Sequence, residues 1–360
     1  MRISLPVAKS LNFWRAWAIF SGAVALATLA IAATAFADEL QTIGSIERLD
    51  PALDALVPAD AKLEIIGHGF EWSEGPTWLK ADGGFLLFSD VLTNTIHRWD
   101  AQRGCRTYLS PSGYTSDVPR GAEMGSNGLA VDREGRLLLC QHGDRRIARL
   151  DTPWRSPRTA YVTVADRYDG KRFNSPNDLA VHSSGAIYFT DPPYGMIDYN
   201  DDVTKIPDKE IPFQGVYRVA PDGQVTLVTR ELERPNGIAF SPDEKTLYVA
   251  SSHGPRPVIM AYPLEADGGV GMGRVLFDAR TLPSGRPGAC DGMAVDQDGN
   301  VFATAPGGVV VLTPEGNHVG SLLTTQRTAN CTFGDDGSTL FITADMYLLR
   351  IRLTTKGLGF

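Results

Sequence analysis

The chain has 360 residues, 43% apolar and 21% charged, a globular balance that excludes a disordered or fibrous protein. Its 42 acidic and 34 basic residues give a net charge of −8 with no Lys/Arg stripe, which excludes nucleic acid as a partner. Thirty-seven glycines and 23 prolines suit one all-β domain of many short strands.

Residues 1–37 read as an export signal. Arg2, Lys9 and Arg15 form a positive start, Ala16 to Ala33 is apolar, and Ala35-Phe36-Ala37 is an A-x-A cleavage signature before Asp38. The alternative is an uncleaved membrane anchor, since the apolar run approaches the length of a span. Cleavage places the protein in the periplasm or outside the cell, with no stable membrane association. Residues 38–60 are then a lead-in, and 61–360 form the domain.

From Glu74 onward one phrase returns six times: EGPTWLKADGGFLLFS, NGLAVDREGRLLLC from Asn127, NDLAVHSSGAIYFT from Asn177, NGIAFSPDEKTLYVA from Asn236, DGMAVDQDGNVFAT from Asp291 and NCTFGDDGSTLFIT from Asn330. Each copy is a polar leader, an apolar strand, a Gly/Asp turn and a second apolar strand. A third apolar run follows every copy, from NTIHRWD at 94–100 to YLLRIRL at 347–353. Repeats of this kind predict a six-bladed β-propeller. The run LEIIGHGF at 63–70 has no partner of its own, so it is expected to complete the last blade and close the ring.

In a propeller the innermost strands start beside one axis, so the leaders converge although they lie far apart in sequence. Asn127, Asn177, Asn236 and Asp291 each precede their turn position by seven residues, and Glu74 departs by one. In the last copy the register falls between Ala329 and Asn330. An Asn-Gly or Asp-Gly pair alone is an ordinary turn signal. The shared register, with Glu in the first copy, points instead to a ring of oxygen ligands. Glu74, Asn177, Asn236 and Asp291 form the expected set for one divalent cation. Without His or Cys it favours Ca²⁺, with Mg²⁺, Mn²⁺ or Zn²⁺ as alternatives. Asn127, His142, Arg172, Tyr194 and His253 stand at ring positions or in mouth loops and are candidate substrate contacts. The polar stretch 196–212 lengthens the third blade, either as a lid or as a loose insertion.

The four cysteines, Cys105, Cys140, Cys290 and Cys331, contain no C-x-x-C. They are read as small buried residues or one structural disulfide, with the pairing open. No G-x-S-x-G or H-E-x-x-H is present, so neither a nucleophile-elbow serine nor a zinc-protease helix is indicated.

Glu-Gly-Pro at 74–76, Ser-Pro-Asn-Asp-Leu at 175–179 with FTDPPYG at 189–195, Arg-Pro-Asn-Gly at 234–237 and Asp-Gly-Met at 291–293 together resemble the gluconolactonase family. That family includes the senescence marker protein regucalcin, and the likeness lies closest to exported bacterial gluconolactonases. It covers roughly residues 60–355. It implies a six-bladed propeller with a central divalent ion on Glu74, Asn177, Asn236 and Asp291, hydrolysing a sugar lactone to its aldonic acid. It also implies Asp291 as the group that activates water. Shorter relatives read Arg-x-Asn-Asp where this chain reads Arg172-Phe173-Asn174-Ser175-Pro176-Asn177-Asp178. Two other readings stay open: a metal-dependent esterase or organophosphate hydrolase on the same ring, and a binding scaffold with a structural metal.

Overall fold

The computed structural model describes residues 40–118, 123–197, 206 and 208–360. The stretch read as an export signal lies outside the described residues, as does most of the stretch read as a lid. The rest is an all-β propeller of six blades. Its innermost strands are Ser73–Leu79, Ser126–Val131, Leu179–Val181, Pro235–Phe240, Met293–Val295 and Thr328–Gly334. Each touches the next in chain order, and the last returns to the first.

The apolar runs show why the blades pack this way. In Phe85–Asp90, Phe85 and Leu87 enter the core shared with the second blade, while Leu86 and Phe88 enter the core shared with the sixth. Successive side chains of a strand point to opposite faces. A strand covered on both faces must therefore be apolar throughout, which is why the second strands read as continuous runs. Clusters of the same kind fill the other gaps between blades, for example Phe189 with Cys140 and Phe302 with Leu340. All four cysteines are free, with Cys140, Cys290 and Cys331 buried and Cys105 half-buried.

Glu64–His68 pairs antiparallel with Tyr347–Arg352, so the strand before the first repeat completes the sixth blade. Arg350 Nε donates to Glu64 Oε2 across this seam at 2.7 Å. Two features go beyond the sequence reading. Every blade has a fourth, outer strand, such as Gly104–Leu109 in the first and Arg274–Asp278 in the fourth. The lead-in also contributes: Ser45–Arg48 pairs with His318–Leu323 as a fifth strand of the fifth blade. Just beyond it, Leu53 and Val57 are fully buried against Val309 and Leu322.

Candidate functional site

The leaders do not form turns. Glu74, Asn127 and Asn236 lie inside the inner strands, and a register shift follows the leader in each of those strands. The bulge arises because the next residue passes directly under the neighbouring blade. An ideal Cβ on Gly75 would fall 2.0 Å from Asn127 O, and one on Gly237 would fall 2.1 Å from Asp291 O. Gly75 is also at φ +49°, a conformation that side chains resist. The glycine after the leader is thus a packing requirement between blades.

The same register settles the sixth blade. Gly128 N donates to Asn177 O, and Gly292 N donates to Ala329 O, both at 2.7 Å. Ala329 therefore occupies the leader position, and this blade brings no leader oxygen to the ring. Asn330 occupies the tier beneath, where four blades carry glycine and the third carries Asp178. Asn330 Nδ2 donates to Asp178 Oδ2 at 3.4 Å, and Leu179 N donates to Asp178 Oδ1 at 2.9 Å. Burial pushes the Asp178 carboxyl up to about 6 despite these donors.

Glu74, Asn127, Asn177, Asn236, Asp291 and Tyr194 line one cavity of ≈ 890 Å³. Asp178 and Asn330 line a second, of ≈ 830 Å³, around the later parts of the inner strands. The Asp178–Asn330 contact therefore belongs to the second cavity, below the leader tier.

Each wall of the first cavity is held from outside. The Asp90 carboxylate accepts from Glu71 N and Trp72 N, which fixes the approach to Glu74. Asn174 donates from its backbone to Asp191 Oδ2 at 2.8 Å, and Arg145 Nε donates to Phe173 O and Asn174 O at 2.8 and 3.0 Å. Ser175 Oγ donates to Pro192 O. These bonds pin the KRFNSPND segment so that Asn177 faces the axis. The Tyr194 hydroxyl contacts Ser252 Oγ, and the Arg234 guanidinium stands 5.8 Å from the Tyr194 ring centroid.

The cavity concentrates buried carboxylate and carboxamide oxygens. Glu74 and Asn127 are each 2% exposed, Asn177 2% and Asn236 4%. Asp291 is half-buried as a residue, yet its Oδ1 is closed to solvent. Asn127 Oδ1, Asn177 Oδ1 and Asp291 Oδ1 have no hydrogen-bond partner. Burial, followed by repulsion from Asp178 and Glu123, pushes Glu74 up to about 8. Burial and the Glu74, Asp178 and Glu123 charges raise Asp291 well above the carboxylate range. Orphaned buried oxygens and crowded carboxylates call for a positive partner. Among the described residues no three His, Cys, Asp or Glu side chains form a metal-binding cluster, so the set is two carboxylates and two carboxamides. That all-oxygen set has the chemistry to hold a hard divalent cation.

His142 does not line the cavity. It is fully buried behind it, with Nε2 3.4 Å from Asn177 Nδ2 and Nδ1 3.3 Å from Glu123 Oε2. Arg172 and His253 do not line it either. Arg172 Nη2 donates to Asp144 O, and His253 Nε2 lies 3.2 Å from Glu233 Oε2.

Sequence reasoning missed Glu123, Trp72, Arg234, Ala289 and Arg327, which also line the cavity. The last four share a register two residues before a leader, so the repeat alignment could have found them once Ala329 was set as the sixth. Glu123 sits in the loop before the second blade and has no counterpart in the repeat.

Residues 72–345 match the family model described as SMP-30/Gluconolactonase/LRE-like region. A gluconolactonase of Zymomonas mobilis subsp. mobilis is 42% identical over 323 residues, which cover 88% of each chain. The pentonolactonase XacC of Haloferax volcanii is 24% identical over 278 residues, covering 75% of this chain and 80% of its own. Among solved structures, a Xanthomonas campestris gluconolactonase superposes with a TM-score of 0.73 at 33% identity, covering 87% of this chain and 97% of its own. The chain therefore belongs to the SMP-30/gluconolactonase/LRE-like family.

Proposed function

We propose that this chain is a lactone hydrolase that opens a sugar lactone, such as an aldono-1,5-lactone, to its aldonic acid in the leader-lined cavity. The observation that carries the reading is the set of buried, partnerless oxygens on Asn127, Asn177 and Asp291 beside Glu74. Family membership and the gluconolactonase relative support the substrate class.

Glu74, Asn177, Asn236 and Asp291 would hold one divalent cation, with Ca²⁺ the first candidate. When bound, such an ion supplies Lewis acidity toward the lactone carbonyl. Asp291 Oδ1, buried and without a hydrogen-bond donor of its own, accepts the proton of the attacking water. Arg234 and Arg327 line the cavity and offer donors to ring hydroxyls and to the carboxylate product. Asn127 Oδ1 and the Tyr194 hydroxyl supply further polar contacts, and Trp72 and Leu92 give the sugar ring an apolar wall. An ester is a better electrophile than an amide, so one basic carboxylate suffices without a covalent nucleophile.

The test is hydrolysis of glucono-1,5-lactone above its spontaneous rate, before and after chelation and on adding back each ion. Asp291→Asn should lower kcat by at least 100-fold. Full activity in Asp291→Asn protein that still binds its ion would remove the general-base role. Export of the mature chain beginning at Asp38 belongs to the same proposal, and N-terminal sequencing of the secreted protein reads it directly.

A further inference from the structure

A carboxamide has two ends that differ only in chemistry. Its oxygen can face a cation, whereas its NH₂ group cannot. Asn177 can serve the ring only if something turns its oxygen toward the cavity, and neither its backbone nor its rotamer distinguishes the ends. The side chain that touches it is His142, whose Nε2 lies 3.4 Å from Asn177 Nδ2. His142 is itself fully buried and tightly placed. Its backbone N donates to Gly125 O at 3.2 Å. Gly195 packs on it so closely that an ideal Cβ there would come within 2.6 Å of His142 Cβ. On the other side of the ring, Nδ1 lies 3.3 Å from Glu123 Oε2.

We propose that His142 is a positioning residue for Asn177, acting through the direction of one hydrogen bond. His142 Nδ1 makes no hydrogen bond of good geometry, but the negative Glu123 carboxylate 3.3 Å away draws the single proton of the neutral imidazole to Nδ1. Nε2 is then a lone-pair acceptor, and the only end of Asn177 that can donate to it is Nδ2. Asn177 Oδ1 is left facing away from the imidazole, buried and without a partner. This is the arrangement by which outer groups orient the ligands of a metal site. The inference deepens the cation reading given above and rests on it. It also distinguishes His142 from the cavity-lining contacts, because the imidazole orients a ring residue without touching substrate.

The experiment is calorimetric titration of Ca²⁺ into the chelator-stripped chain, with circular dichroism showing that each variant is folded. His142→Leu removes the acceptor and should weaken Ca²⁺ binding at least tenfold. His142→Gln can place a carbonyl oxygen near the position of Nε2 and should stay within about threefold of the parent. The decisive arm is a double-mutant cycle with Asn177→Asp. A carboxylate has no wrong end, so in that background His142→Leu should lose most of its effect. Equal penalties in both backgrounds would make His142 a packing residue and overturn the proposal. So would unchanged Ca²⁺ affinity in His142→Leu with a raised KM at saturating Ca²⁺, the mark of a substrate contact. A parent chain that takes up no divalent ion would overturn the cation reading and this one together. Binding by the parent with equal binding by His142→Leu would overturn only this one.

Discussion

An ideal Cβ at position 237 would sit 2.1 Å from Asp291 O, so Gly237→Ala must push apart two adjacent blades at the leader tier. Overpacking of this kind costs about 1–3 kcal/mol. The variant should therefore unfold at lower urea and bind divalent ions more weakly, because the displaced atom belongs to Asp291. A variant as stable as the parent would show that the inner strands can slide. Asp191 offers a second test at this scale. It is fully buried, Asn174 N donates to its Oδ2, and burial pushes its carboxyl up to about 7 against the pull of Arg145 and Lys209. A raised folded pKa means that the native state keeps a proton which the unfolded chain has already lost. Stability contributed by this residue therefore falls as pH climbs from about 4 to about 7 and is level above. Asp191→Asn does not titrate, so its stability relative to the parent should rise across that window, on the order of 2–4 kcal/mol at most. Parallel urea curves for the two proteins at pH 4.5, 6 and 8 would sink the argument. The role of Asp191 was visible in the sequence only as part of FTDPPYG. Its contact with Asn174 joins neighbouring blade elements that no spacing rule connects.

Two strands near the start of the described chain clasp the propeller with different consequences. Glu64–His68 completes the sixth blade and brings Ile65 and Ile66 onto its cores. Ser45–Arg48 only widens the fifth blade, though Glu47 makes a two-pronged ion pair with Arg286, at 2.8 and 3.2 Å, on the segment leading to Asp291. Removing residues 38–49 should leave a folded, active enzyme whose Tm is several degrees lower. Removing everything through His68 opens the ring, exposes an apolar edge, and should give insoluble protein. A calorimetric scan of the shorter truncation with an unchanged Tm would mean that the outer strand contributes nothing. The closing strand was legible because LEIIGHGF is an apolar run left without a partner. The outer one was not, since SIER is short and polar and its partner lies nearly three hundred residues away.

The propeller is a closed ring whose inner tier brings carboxylate and carboxamide oxygens from five blades to one cavity. A cation bound only by the folded chain stabilises it by mass action, by about 2.7 kcal/mol at a concentration 100 times Kd. Added Ca²⁺ should therefore raise the Tm of the stripped protein, and Asp291→Ala should abolish that rise. Identical scans in Ca²⁺ and in chelator would argue against a cation at the axis. The sequence by itself determined the blade count, the closing strand and the leader set, because a repeated strand–turn–strand pattern carries its own register. Family membership was legible for the same reason: its motifs fall at the leaders. Only the tertiary structure decided that Ala329 leaves the ring without a sixth oxygen, that Asp178 meets Asn330 below it, and that Arg172 turns away to Asp144. Which end of Asn177 faces the axis also depends on His142, placed there by a different blade. Those outcomes depend on contacts between blades, and a strand's own pattern specifies which face is buried but not which neighbour it will meet there.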